Sequence, residues 1–222
     1  MGDSSVETVL REFLAEIEQG GLVPGQRVIA GEIAKKLQVS RSTVREAIHV
    51  LAGEGVLELT KNLGARVRAL PPEDLVHGMQ LLRAVGALGL ELAARHMDVP
   101  ENRKRVEREM AKIERIGASR QPYHWFIGLI DFHRVINDIG GNHYLNSQVF
   151  DGRHLPFFCR ALAGPLPGTH WPKYVRNYQR VGQALLDGPA NAAAALYEQH
   201  MNWAIALLEN EFIRPQRAGS GG

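Results

Sequence analysis

The chain of 222 residues has one cysteine, Cys159, so no disulfide can close within it. It lacks a long uncharged apolar run, which excludes a membrane-spanning helix of the usual kind, and it shows no N-terminal signal pattern. The cytoplasm is the expected location, with no membrane partner. Neither sign of charge dominates: 26 basic and 24 acidic residues leave a formal charge of +2, too mild to point to nucleic acid by itself. No P-loop, dinucleotide fingerprint or Ser/His/Asp grouping with recognisable context is present, and there is no internal repeat or low-complexity tract. What remains is an ordinary composition, 45% hydrophobic, long enough for two cores.

Charge is concentrated locally. Between residues 26 and 70, eight basic side chains stand against four acidic ones, and two of the eight, Arg41 and Arg45, fall in Ser40-Arg41-Ser42-Thr43-Val44-Arg45-Glu46-Ala47-Ile48. Ser40 is a good N-cap, and Val44, Ala47, Ile48 and Leu51 recur at helical spacing. That stripe leaves Arg41, Ser42, Arg45 and His49 together on the opposite face. Guanidinium forks four residues apart at a helix start suit phosphate oxygens and guanine edges, although an amphipathic surface helix would share the pattern.

The surroundings extend this helix into a motif. A stripe of Val6, Val9, Leu10, Phe13, Leu14 and Ile17 predicts a helix over 5–19, ended by Gly20-Gly21. A turn around Pro24-Gly25 precedes a short helix over 32–37, and the Ser40 helix stops near Gly53 or Gly55. Residues 56–60 and 65–69 read as strands joined by Lys61-Asn62-Leu63-Gly64. Three helices and a basic hairpin make a winged helix-turn-helix over 1–70.

Pro71-Pro72 breaks the pattern, and 71–75 reads as a linker. Beyond it no strand pattern appears, and helical stripes run over 73–97, 101–117, 122–139, 142–163, 170–187 and 189–213. The fold class is therefore mainly α: a winged helix-turn-helix followed by an all-α bundle over 76–214, with 215–222 as a flexible tail. Pro156 should kink or divide its helix. The aromatic residues Tyr123, Trp125, Phe126, Phe132, Trp171, Tyr174, Tyr178 and Trp203 are mostly core, and some could line a cavity.

From Leu22 to Gly64 the residues resemble the GntR family of bacterial transcription regulators, in its FadR-like branch with an FCD effector domain. The match is carried by Leu22-Val23-Pro24-Gly25-Gln26-Arg27-Val28, by Ile33-Ala34-Lys35-Lys36-Leu37-Gln38-Val39 running into the Ser40–Ile48 segment, and by Leu51, Gly55-Val56 and Gly64. Further on it rests on Arg83, Phe132-His133, Gly141-Asn142, Asp187-Gly188 and His200. The resemblance implies a homodimer reading a palindromic double-stranded DNA operator, with Arg41 and Arg45 contacting bases or phosphates. Ser40 and Ser42 would touch backbone, Thr43 would be a further DNA-binding residue, and Gly64 and Lys61 belong to the wing that approaches the minor groove. Gly31 stands where some members have a further DNA-contacting arginine, so the operator cannot be copied from them.

Many FCD domains hold a divalent metal through an Asp and a His four apart plus two later histidines. Here His133 and His200 match, but Leu129 replaces the aspartate, and Tyr178, 22 residues before His200, replaces the other histidine. No cofactor is required on this reading, and a metal would need an atypical site including His133 and His200. The expected alternative is a small organic effector facing Arg83, His133, Asn137, Tyr178 and His200, with Arg83 suited to a carboxylate. The leading expectation is a ligand-responsive repressor that is not an enzyme. Catalysis through His133 and His200, or architectural DNA binding without an effector, are the competing classes. Ala84, Ala87, Leu88, Leu90 and Ala94 form a small-residue face suited either to the dimer contact or to the internal core.

Overall fold

The computed structural model describes residues 5–60, 64–164 and 170–214, so Lys61 and the 215–222 tail lie outside the described residues. By its internal packing the chain divides into two units: residues 1–70 with Gly152–Arg160, and residues 71–151 with 161–222.

In the first unit, α1 (Ser5–Glu18), α2 (Ala30–Leu37) and α3 (Arg41–Gly53) pack beside a three-stranded antiparallel sheet of β1 (Arg27–Val28), β2 (Leu57–Thr60) and β3 (Gly64–Val67). Of the helical stripes read from the sequence, Val9, Leu10, Phe13 and Ile17 of α1 meet Val44, Ala47, Ile48 and Leu51 of α3 in one core, with Val6 and Leu14 partly buried against it. α1 ends at Glu18, two residues before Gly20, whose φ of +75° suits glycine, and α3 begins where the Ser40 side chain accepts a hydrogen bond from the Thr43 N–H. The sheet order is β1-β3-β2, with Arg27 opposite Arg66 and Glu58 opposite the other side of Arg66. Strand β1 was not legible: two residues cannot show a period, and their pairing comes from β3, far along the chain.

In the second unit, α4 (Pro72–Ala94) lies against α6 (Pro122–Gly140), α9 (Trp171–Asp187) and α10 (Ala192–Leu208), while α5 (Pro100–Ser119) packs on α6 and α9. Pro72, Pro100 and Pro122 each open a helix, where the missing N–H leaves no bond unmade. The stripe expected over 142–163 is interrupted: α7 (His143–Leu145) runs into a π turn at Asn146–Phe150, and α8 (His154–Ala163) starts afresh. The division falls at Asp151–Arg153 rather than at Pro156, which sits in the first turn of α8, where it breaks no intrahelical bond. α10 likewise continues into a π turn at Glu209–Ile213.

The segment Gly152–Arg160, placed by its sequence position in the bundle, packs with the first unit instead. Its Phe157 is 4% exposed and belongs to the same hydrophobic cluster as Val9, Val44 and Leu51.

Candidate functional site

Two clusters of polar side chains stand out, one in each unit. In the first, α3 buries Val44, Ala47, Ile48 and Leu51 and leaves Arg41, Ser42, Arg45 and His49 exposed. Ser40 Oγ accepts from the Thr43 N–H at 3.1 Å and lies 2.7 Å from the hydroxyls of both Ser42 and Thr43. This cap leaves the helix start presenting hydroxyls and backbone amides beside two guanidiniums, an arrangement that attracts phosphate. The Arg41 guanidinium lies beside the start of α2, where a Cβ on Gly31 would meet it at 3.6 Å in ordinary van der Waals contact. Gly64, with φ of +90°, opens β3 at the wing, and a Cβ there would come within 3.5 Å of the Val28 carbonyl. Arg66 is held by Glu58 at 2.8 Å, which removes part of the local basic excess counted from sequence.

The second cluster fills the bundle. His133 and Asn137, one turn apart on α6, are 2% and 1% exposed, and α9 and α10 bring Tyr178, Tyr197 and His200 to the same interior. The His133 ring stacks on Phe150 at 5.3 Å, lies edge-on to Tyr197 at 4.8 Å, and has Tyr178 Oη 3.5 Å from its Nε2. Asn177 Nδ2 lies 3.1 Å from His200 Nδ1, and the Asn137 amide donates to Asn146 Oδ1 at 2.8 Å. Burial lowers both imidazoles to a pKa of about 3, with Lys173 adding a minor push on His200, so both are neutral. Burial likewise holds the Tyr178 phenol protonated well above its ordinary range. His133 Nδ1, Asn137 Oδ1 and Trp125 Nε1 are buried without a hydrogen-bond partner. The sequence did not single out Tyr197 or Phe150; the signal for Tyr197 was its spacing three residues before His200, on the same face of α10.

Arg83 is half-buried and donates to Asn202 at an exposed position on α10. Among the described residues, the buried polar side chains are Glu109, His133, Asn137, Asn146 and His200, none of them a cation. A divalent metal does not fit these donors. Leu129 cannot ligate, the phenol of Tyr178 is a poor ligand for such an ion, Asp131 is drawn to Arg134 at 3.1 Å, and no group of three or more His, Cys, Asp or Glu suits an ion among the described residues.

A winged helix-turn-helix with an arginine-bearing α3, joined to an all-α bundle, is what family comparison recognises. Residues 5–67 match the family described as bacterial regulatory proteins, gntR family, and residues 78–202 match the FCD domain. The chain is a GntR-family transcriptional regulator with an FCD domain. It is 39% identical over 92 residues to a probable D-xylose utilization operon transcriptional repressor of Paenarthrobacter nicotinovorans, a match spanning 41% of each chain. It is 25% identical over 188 residues to the uncharacterized HTH-type regulator YdhC of Bacillus subtilis (strain 168), covering 84% of this chain and 83% of that one. Two solved structures share its fold. E. coli McbR/YncC has a TM-score of 0.75 at 17% identity, covering 95% of this chain and 100% of that one. A GntR regulator from Rhodococcus sp. RHA1 has a TM-score of 0.74 at 21% identity, with the same coverage. The family and its structural neighbours are transcriptional regulators rather than enzymes, and no helix among the described residues is long and apolar enough to cross a membrane.

Proposed function

We propose that this GntR-family regulator represses transcription as a homodimer on a palindromic operator, and that an uncharged organic molecule in the bundle interior sets its DNA affinity. The observation that carries the DNA half is the α3 face, where Arg41, Ser42 and Arg45 are exposed above a fully buried Val44, Ala47 and Leu51. A single helix of this size reads few base pairs, so pairing on half-sites about one helical turn apart supplies the specificity. Of the candidate dimer face, Ala87 and Leu90 are internal core, whereas Leu88 is 41% exposed and is joined two turns earlier on α4 by Leu81, which the sequence did not place on that face and which is 54% exposed. That exposed stripe suits a twofold contact.

The effector half rests on the buried and unsatisfied His133 Nδ1 and Asn137 Oδ1. Such groups cost about 1–3 kcal/mol each when left unpaired, which a hydrogen-bonding ligand would relieve. The sequence suggested a carboxylate opposite Arg83. An interior whose histidines are neutral and which buries no cation suits an uncharged ligand better, because an unpaired carboxylate would be desolvated at high cost. The same donors argue against a resident divalent metal.

The test is selection of bound sequences from a random duplex pool by the full-length protein, followed by Arg45→Ala. The expected result is an inverted repeat, bound at least tenfold more weakly by Arg45→Ala, with the oligomeric state unchanged by light scattering; a lost base or phosphate contact of this kind is worth about 1–3 kcal/mol. Preserved affinity in Arg45→Ala would remove the assignment of α3 as the reading helix.

A further inference from the structure

Gly152–Arg160 lies in the middle of the FCD sequence, yet its packing makes it part of the DNA-binding unit. Its grip is specific. Arg153 Nη1 donates to Glu54 Oε1 at 2.9 Å, and Nη2 donates to Glu7 Oε2 at 3.1 Å. Glu54 is the C-cap of α3, and Glu7 sits in the first turn of α1, so one guanidinium ties the end of the recognition helix to the start of the helix packed against it. Two carboxylates in two directions suit a forked guanidinium and not the single ammonium of lysine. Phe157, buried in the core shared by α1 and α3, anchors the same segment a turn later.

The residues just before this grip belong to the buried bundle cluster. The Phe150 ring stacks on His133 at 5.3 Å and 18°. Its carbonyl accepts from Arg134 Nε at 3.0 Å and Nη2 at 2.7 Å, and Arg134 also reaches Asp151 at 3.1 Å. Only Asp151 and Gly152 separate the clamped Phe150 from Arg153, at most about 10 Å of extended chain, so little slack is available to absorb a shift at either end.

We infer that Arg153 is a positioning residue for the recognition helix, and that the Phe150–Arg153 link carries the state of the His133 cluster to it. This rests on the reading of α3 as the DNA-contacting helix and adds a route to the linker at Pro71-Pro72. A molecule that displaces the Phe150 ring from His133 pulls on Arg153, and the end of α3 moves with Glu54. The first bundle helix then shares the coupling with a segment that sequence order does not place near DNA at all.

The experiment uses the full-length protein, the duplex it enriches from a random pool, and an unselected duplex as comparator. Arg153→Gln should lower the ratio of selected to unselected affinity at least tenfold, Arg153→Lys should restore part of it, and Phe150→Leu should change it by a smaller factor. In the double variant Phe150→Leu with Arg153→Gln, the two effects should not multiply, because the link is already cut. Each measurement is made well below that variant's own Tm, since Phe150→Leu and Arg153→Lys keep bulk and charge and should fold. A parallel loss of both affinities and of Tm, with the ratio unchanged, would mean that Arg153 only stabilises the unit, and would overturn the proposal. So would effects that multiply. If Arg45→Ala also leaves the selected duplex bound, the DNA reading itself fails; if Arg45→Ala loses it while Arg153→Gln keeps it, only the positioning role fails.

Discussion

In the winged unit the polar groups proposed to meet DNA stand outside the core: Arg41, Ser42, Arg45 and His49 are exposed, and the apolar stripe beneath them is buried. In the bundle the order is inverted, with His133, Asn137, Tyr178 and His200 at the centre and every one of them uncharged. An exposed arginine keeps its hydration until DNA replaces it. A buried imidazole gives up its proton and relies on partners from other helices. Substitutions should therefore cost function in the first region and stability in the second.

The largest effect expected from that contrast is in the bundle. Trp125 is fully buried, edge-on to Trp171 at 5.4 Å and to Tyr178 at 5.9 Å. Trp125→Ala should lower stability by about 3–5 kcal/mol, measured by urea unfolding followed by circular dichroism. Arg45→Ala, on an exposed face, should stay within about 0.5 kcal/mol of the wild type. Equal losses in the two variants would break the contrast between the regions.

A smaller effect sharpens it through pH. His133 is neutral when folded, with a pKa of about 3, and titrates near 6.5 when unfolded. Between those values the unfolded chain binds the extra proton, so the stability present above pH 6.5 is lost as pH falls towards about 3. At pH 5 one such imidazole accounts for about 2 kcal/mol. His133→Phe, which keeps an aromatic ring against Phe150, should flatten the fall of Tm between pH 7 and pH 5 relative to the wild type. An unchanged slope would mean that His133 is solvated.

The two regions were also unequally legible. The α3 face could be read because its apolar residues recur along one helix, a pattern that needs no other part of the chain. β1 could not, since Arg27-Val28 becomes a strand only when β3 pairs with it. His133 and Asn137 are legible from spacing and resemblance, whereas the engagement of Arg83 with Asn202 and the lack of a buried cation among the described residues depend on how the helices pack. Tyr197 is not legible as a site residue because one tyrosine among small alanines on α10 signals packing as readily as function; its hydroxyl donates to the Leu82 carbonyl at 3.1 Å, a contact set by α4. The placement of Arg153 was beyond local patterns altogether, because its partners Glu7 and Glu54 lie roughly a hundred or more residues away in the chain.

The smallest effect concerns a residue that caps a helix and is also proposed to lie against DNA. Ser40 caps α3 through the Thr43 N–H and faces outward with Ser42 and Thr43. Ser40→Ala removes the acceptor and should cost about 1 kcal/mol of stability by thermal unfolding. Ser40→Asp supplies another good cap, and its carboxylate interacts favourably with the helix N-terminus, so stability should return. That same carboxylate faces the side on which phosphate would bind, and affinity for the selected duplex should fall further than in Ser40→Ala. A variant that is more stable and yet binds DNA less well separates the cap from the contact; if Ser40→Asp bound as tightly as the wild type, the start of α3 would not lie against the DNA backbone.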